Sequence, residues 1–125
     1  MSDTLHILVI DDDDSLREAI VKHLTGAGYT VMNAPNGEEG LKLALEHKPK
    51  LLFLDYQMPG MDGLEVLRKL REDEWGAKAE VVFDTNGYDT SVVYEALANG
   101  VHDYVLKADT SLEQILELAR KYVTI

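Results

Sequence analysis

Short apolar runs alternate with amphipathic segments along the chain. Five runs predict β-strands at about Leu5–Ile10, Tyr29–Asn33, Leu51–Leu54, Val81–Phe83 and Asp103–Leu106. Between the runs, apolar residues recur at the three- and four-residue spacing of helices. The third run is apolar without alternation, which is typical of a strand covered on both faces. This repeated strand–helix order predicts an α/β fold with a doubly wound parallel sheet, helices on both faces and right-handed crossovers.

Capping residues and helix breakers indicate where the helices begin and end. Ser15–Glu18 has the spacing of a capping box for the first helix, although Asp13 or Asp14 could also cap it. Asn36 is expected to cap the second helix, whose inner face should extend to Leu45. The later helices are predicted over Leu64–Leu70, over Thr90–Ala98 and from Ser111 onward.

Composition narrows the class of protein. A chain of 125 residues fits one domain, and the absence of cysteine excludes disulfides and thiolate zinc sites. No apolar run approaches the roughly 20 residues that span a bilayer, and Met1–Thr4 lacks signal-peptide features. We therefore expect a cytoplasmic location and no membrane contact. A net charge of −11 argues against direct nucleic-acid binding by this domain.

Polar residues follow the predicted strands. Asp11 and Asp12 come after the first, Asp55 after the third, Thr85 after the fourth and Lys107 after the fifth. The carboxyl ends of parallel strands share one sheet edge, where α/β proteins bind ligands. Carboxylates about 5 Å apart repel by roughly 3 kcal/mol at an effective dielectric constant of 20, and Mg²⁺ or Mn²⁺ would relieve that repulsion. A hydroxyl and an ammonium can donate to phosphoryl oxygens.

In order and approximate spacing, this set of residues resembles the receiver domain of bacterial two-component response regulators. Asp55 stands before Met58–Gly63, and the resemblance covers essentially the whole chain. It implies a five-stranded, flavodoxin-like sheet of order 2-1-3-4-5. It also implies that residues 1–125 form a single receiver (response regulatory) domain with no effector domain, although the chain could be a stand-alone regulator or a segment of a longer one.

The resemblance assigns a phosphorelay role to the acidic residues. Asp55 would accept a phosphoryl group from a phosphohistidine on a sensor histidine kinase or a histidine phosphotransfer protein. Asp12, Asp55 and the backbone carbonyl of Gln57 would hold Mg²⁺, or Mn²⁺, and Asp11 would assist through water. On this view the chain is a signalling phosphoacceptor that assists its own phosphorylation and dephosphorylation, and not an enzyme.

The resemblance also implies a conformational switch. Lys107 would pair with Asp55 and then with the phosphoryl group, while Thr85 would donate to a phosphoryl oxygen and move. Tyr104 would then turn inward and change the face formed by the fourth helix, the fifth strand and the fifth helix. That face would bind a downstream effector protein or domain, and the chain would be a monomer or a phosphorylation-dependent dimer.

Three residues depart from the family pattern. Asn86 follows Thr85 where a small residue is usual, and Ala108 replaces the usual proline after Lys107. Asp84 stands in the fourth strand, where the family is normally apolar. Side chains alternate along a strand, so Asp84 should face away from Thr85, beneath a helix. Because no basic residue is close in sequence, we expect it to lack a good partner and to have a raised pKa; the alternative is a partner such as Asn86, Tyr88 or a backbone amide.

Two other functions remain open at this point. Asp11 and Asp13 form the Asp-x-Asp pattern of haloacid-dehalogenase-like phosphatases, in which Asp11 would be the nucleophile. A degenerate receiver would bind partners without phosphorylation. The identity of the phosphorylated aspartate distinguishes the first alternative, and Mg²⁺ binding tests the second.

Overall fold

The structure is a computed structural model, and it describes residues 5–85, 89–107 and 109–125. Five parallel strands form one sheet in the order β2-β1-β3-β4-β5. The strands are β1 (Ile7–Ile10), β2 (Val31–Ala34), β3 (Leu51–Asp55), β4 (Val81–Thr85) and β5 (Asp103–Leu106). The helices are α1 (Asp14–Gly26), α2 (Gly37–His47), α3 (Gly63–Glu72), α4 (Thr90–Ala98) and α5 (Leu112–Tyr122), with a short 3₁₀ turn at Gly76–Lys78. The predicted fold class is confirmed.

Helices cover the sheet on both faces and bury two separate apolar clusters. α1 and α5 pack on one face, where their apolar residues meet alternate strand residues such as Val9 and Phe53. α2, α3 and α4 pack on the other face, against Leu54 and Phe83 among others. All five residues of β3 are buried, as expected for the central strand of a doubly wound sheet. No helix in the described ranges is long and apolar enough to cross a membrane.

The strand limits differ from the predicted ones. β1 and β2 each begin two residues later than predicted, because the ladder starts where Ile7 lies opposite Val31 and Leu51. Leu5 and Tyr29 are buried, but neither belongs to the ladder. β4 extends beyond the apolar run Val81–Phe83, through Asp84 to Thr85, and this extension shapes the functional site.

Helix capping confirms part of the prediction and corrects part of it. The first helix is capped by Asp13, whose side chain accepts a hydrogen bond from the Leu16 amide at 3.1 Å, so the capping box over Ser15–Glu18 was wrong. Asn36 caps α2 as predicted. A reciprocal capping box is present instead at α5, where Ser111 and Gln114 exchange hydrogen bonds.

The predicted inner face of α2 also requires one correction. Gly40 and Ala44, one helical turn apart, are buried against the sheet, and a Cβ on Gly40 would lie 2.6 Å from Ile10. Leu45 was predicted to lie on the same face but is 36% exposed. The rotation of about 100° per residue turns it away from the Gly40–Ala44 line.

Candidate functional site

Four charged side chains meet at the carboxyl edge of the sheet, on the face covered by α1 and α5. Asp11 directly follows β1, Asp55 ends β3, Asp84 lies near the end of β4, and Lys107 directly follows β5. Asp55 lies directly opposite Asp84 in the parallel ladder, and opposed residues point to the same face. Three carboxylate oxygens, one from each of Asp11, Asp55 and Asp84, lie within 4.8 Å of one another.

Asp11 is held in place by backbone and side-chain contacts. It is buried, and its Oδ1 accepts hydrogen bonds from the Asp13 amide at 2.9 Å and from Lys107 Nζ at 3.3 Å. Its backbone carbonyl accepts a hydrogen bond from Arg17 Nη1 at 2.9 Å, while Arg17 Nε donates to Asn33. These contacts fix the chain as it leaves β1 and aim the carboxylate at the end of β3.

Asp55 is the central carboxylate. It is 2% exposed, and its Oδ2 lies 3.2 Å from Lys107 Nζ. Burial and the charge of Asp11 raise the pKa of Asp55 to about 7, against the opposing effect of Lys107. The loop after β3 turns closely around it, because a Cβ on Gly63 would lie 2.4 Å from the Asp55 carbonyl oxygen. The Gly63 amide donates to the carbonyl of Tyr56 at 2.8 Å, which closes the turn.

Lys107 supplies the positive charge. Its backbone amide donates to the Thr85 carbonyl at 2.9 Å, and its ammonium forms ion pairs with Asp11 and Asp55. Burial alone would lower the pKa of Lys107, but Asp55 and Asp11 outweigh that effect, and the pKa is raised. The side chain is therefore an ammonium at neutral pH and can donate to an anionic ligand beside Asp55.

Asp84 belongs to the same site. It is 8% exposed, and its Oδ1 has no hydrogen-bond partner in the described part of the chain. Burial raises the pKa of Asp84 to about 7, with Lys107 opposing the shift and Asp11 adding to it. The expected raised pKa is confirmed. No basic residue is close to Asp84 in sequence, and the opposing charge comes from Lys107, which follows the neighbouring strand β5.

The remaining predicted residues lie around this group. Thr85 is buried at the end of β4, and side-chain alternation places it on the opposite face from Asp84. Asp12 is exposed and is not part of the three-carboxylate group. Gln57 lies in the loop after β3 with its side chain exposed. Tyr104 is 45% exposed on β5, opposite Phe83 of β4.

Asn86, Tyr88 and Ala108, which the sequence analysis singled out, lie outside the described residues. Sequence reasoning missed that Asp84 joins Asp11 and Asp55. The alternation of side chains along a strand could have revealed it. Asp84 lies two residues after Val82 and so points to the same face of the sheet, where Val82 packs with Phe53 on the α1–α5 side.

The charge and chemistry of the site suit a divalent cation. Three buried carboxylates and one ammonium leave two uncompensated negative charges at neutral pH if all are ionised. The donor atoms are oxygens, which Mg²⁺ and Mn²⁺ prefer. Asp84 contributes an oxygen to this group, and its Oδ1 is buried without a hydrogen-bond partner among the described residues. Asp11 and Asp55 therefore fit the expected metal, and the site adds a third carboxylate that the expectation did not include.

The sequence has many relatives. AfsQ1 of Streptomyces coelicolor, named a transcriptional regulatory protein, is 40% identical over 101 residues, which cover 81% of this chain and 44% of that protein. The nitrate/nitrite response regulator NarL of Escherichia coli is 42% identical over 113 residues, which cover 89% of this chain and 51% of that protein. The chain thus spans about half the length of the curated relatives it matches.

Solved structures agree with the fold. A chemotaxis protein, CheY4 of Vibrio cholerae, superposes with a TM-score of 0.86 over 96% of this chain and 99% of that one, at 24% identity. A DNA-binding response regulator of the LuxR family from Staphylococcus aureus gives a TM-score of 0.82 at 33% identity, covering 94% of this chain and 98% of that one. The family model of the response regulator receiver domain matches residues 7–120. The chain therefore belongs to the response regulator receiver domain family, a family of signalling domains.

Proposed function

We propose that this receiver domain accepts a phosphoryl group on Asp55, from a phosphohistidine of a sensor histidine kinase or a histidine phosphotransfer protein. The observation that carries the proposal is the position of Asp55: it is buried beside Asp11, and its Oδ2 lies 3.2 Å from the ammonium of Lys107. Phosphoryl transfer depends mainly on alignment and charge neutralisation, and this site offers both.

The residues divide the chemistry among them. A carboxylate oxygen of Asp55 attacks phosphorus, and the bond from phosphorus to the imidazole nitrogen of the donor breaks. Lys107, now paired with Asp55, donates to the phosphoryl oxygens as their charge moves toward it. Thr85, at the same sheet edge, offers its hydroxyl to a phosphoryl oxygen. When bound by Asp11, Asp12, Asp55 and the backbone carbonyl of Gln57, Mg²⁺ or Mn²⁺ would neutralise charge on the phosphoryl oxygens.

Phosphorylation would act on the surface formed by α4, β5 and α5. It adds roughly two negative charges beside Lys107 and Thr85. Tyr104 lies on that surface with 45% of its area exposed, close to the exposed side chains of Leu106 and of Tyr94 on α4. Inward rotation of Tyr104, coupled to movement of Thr85, would change which apolar groups a downstream effector protein or domain meets.

The wider role follows from composition and relatives together. Some relatives are named as transcriptional or DNA-binding regulators, so the whole protein could contact DNA through parts outside this chain. With a net charge of −11, residues 1–125 themselves form a single receiver domain without direct nucleic-acid binding. We place it in the cytoplasm as a monomer or phosphorylation-dependent dimer that assists its own phosphorylation and dephosphorylation but turns over no separate substrate.

Acetyl phosphate with MgCl₂ tests the proposal. The wild type should gain one phosphoryl group by intact mass, and Asp55→Asn should gain none. Asp109→Asn, which removes an exposed carboxylate from the loop after β5, is the matched control and should label as the wild type does. A label mapped to Asp11 would support the phosphatase-like alternative, and a wild type that neither labels nor binds Mg²⁺ would support the degenerate receiver.

A further inference from the structure

The phosphorylation chemistry makes no use of Asp84, which is a buried ionisable group. Asp84 is 8% exposed, its Oδ1 has no hydrogen-bond partner in the described ranges, and it faces the same space as Asp11 and Asp55. A buried carboxylate without a partner is costly, because an ionised group loses its hydration when it is buried. A carboxylate in this position calls for a compensating group.

Lys107 cannot provide all the compensation. Its ammonium lies 3.2 Å from Asp55 Oδ2 and 3.3 Å from Asp11 Oδ1, and no ion pair of Asp84 is present among the described residues. One positive charge therefore serves three carboxylates within a few ångströms. A second, doubly charged cation would neutralise the site and give the orphaned oxygen of Asp84 a partner.

The spacing is close to that of a shared coordination sphere. Oxygens on opposite sides of Mg²⁺ are about 4.2 Å apart, and on opposite sides of Ca²⁺ up to about 5.2 Å. The three carboxylate oxygens here all lie within 4.8 Å of one another. Asp12, in contrast, is exposed at the rim.

We propose that Asp84 is a direct ligand of the divalent cation in this receiver domain, so that Asp11, Asp55 and Asp84 form a three-carboxylate site. The inference rests on the proposed function only in assuming that a divalent cation binds beside Asp55. It distinguishes this chain from receivers with an apolar residue at this point of β4, and it assigns to Asp84 the chemistry that the buried carboxylate requires.

Metal affinity is the first test. Protein freed of metal with EDTA is titrated with MnCl₂, and free Mn²⁺ is followed by its paramagnetic resonance signal. Asp84→Asn keeps the size of the side chain and should weaken binding by at least about tenfold, because even outer-shell partners of a metal typically cost that much. Asp109→Asn, which removes one exposed carboxylate outside the three-carboxylate group, is the matched control for charge.

Hydration of the ion separates a ligand from a neighbouring charge. Terbium luminescence lifetimes in H₂O and D₂O count the water molecules on the bound ion. Asp84→Leu has no donor atom and should add about one water, since hard cations fill vacant positions with water. Asp109→Leu serves as the control.

The outcomes are distinct. Weaker Mn²⁺ binding in Asp84→Asn than in Asp109→Asn, with extra water in Asp84→Leu, supports the inference. Weaker binding with an unchanged water count would make Asp84 a neighbouring charge and overturn it, as would wild-type affinity in Asp84→Asn. In both of those cases, Mn²⁺ binding that is lost in Asp55→Asn would leave the proposed function standing. A wild type that binds no Mn²⁺ overturns both.

Discussion

Replacing Asp84 with asparagine should stabilise the metal-free domain at neutral and alkaline pH. Asp84 is buried on the α1–α5 face, and its Oδ1 lacks a hydrogen-bond partner among the described residues. Asparagine has nearly the same shape and carries no charge. The substitution therefore removes the cost of ionising a buried carboxyl group while leaving the packing almost unchanged.

The size of the effect follows from the pKa. Burial raises the pKa of Asp84 from 3.8 to about 7. Each pKa unit corresponds to about 1.36 kcal/mol, so full ionisation of the folded protein costs at most about 4 kcal/mol. The pKa of neighbouring Asp55 is raised to about 7 as well, partly by Asp84, so the two groups share the cost. Lys107 also loses one favourable neighbour. We therefore expect Asp84→Asn to gain about 1–3 kcal/mol.

The raised pKa of Asp84 determines how its contribution to stability changes with pH. A carboxyl group whose pKa is raised by folding favours the protonated folded state. Its contribution to stability is complete below pH 3.8, declines as pH rises through the interval from 3.8 to about 7, and is constant above it. The stability difference between Asp84→Asn and the wild type should thus be small at about pH 4 and reach its full value at about pH 8.

Urea denaturation in EDTA, at about pH 4 and about pH 8, measures this difference. Asp109→Asn is the control, because Asp109 is exposed and its removal should change the denaturation midpoint little at either pH. A variant that is less stable than the wild type at the higher pH would refute the reasoning, since Asp84 would then be paired. A gain of equal size at both pH values would also refute it, because ionisation could not be the cause.

Three further substitutions test the contacts at the two ends of α3. Arg71 donates to three backbone carbonyls beyond α3, so Arg71→Ala should lower the unfolding free energy by about 2–4 kcal/mol, whereas exposed Arg120→Ala on α5 should change it little. Gly63→Ala should destabilise by about 3 kcal/mol or more and reduce phosphorylation by acetyl phosphate, because its Cβ would lie 2.4 Å from the Asp55 carbonyl; wild-type values in both assays would contradict the close approach. Asp62 caps α3 through a 3.0 Å bond, so Asp62→Ala should cost about 1 kcal/mol in urea denaturation, and no loss would show that the cap is dispensable.

The architecture could be predicted from the sequence because its signals are local. Strand and helix periods, caps and breakers occur within segments of about ten residues. The exact strand limits could not, because they depend on hydrogen bonding between distant segments. Tyr29 shows the difficulty: it is buried and next to a strand, but its hydroxyl donates to the Val123 carbonyl at 3.1 Å and it packs with the α1–α5 cluster. An apolar residue in the sequence indicates burial, but it does not indicate whether the residue is hydrogen-bonded in a strand ladder.

The structure brings some of the predicted site residues together and leaves one of them exposed. Asp11, Asp55 and Lys107 each follow a strand directly, and the carboxyl edge of the sheet brings them together. Asp12 also follows β1, but the next residue along an extended backbone points the other way, and Asp12 is exposed. The position of each residue after a strand predicted that it lies at the carboxyl edge of the sheet. The face to which its side chain points depends on the alternation along the backbone.

The same alternation directs two adjacent side chains of β4 to opposite faces of the sheet. Asp84 faces α1 and α5 with Asp55 and Lys107, whereas Thr85 lies on the side of Phe83, toward α3 and α4. The register that places Asp84 opposite Asp55 is a property of the paired strands and is invisible in either strand alone. If the cation lies on the Asp84 side and the switch begins at Thr85, substitutions at these two neighbours should affect different properties. Changes at Asp84 should alter metal affinity, and changes at Thr85 should alter the response of α4, because Asp84 lies in the carboxylate group and Thr85 lies on the side of α3 and α4.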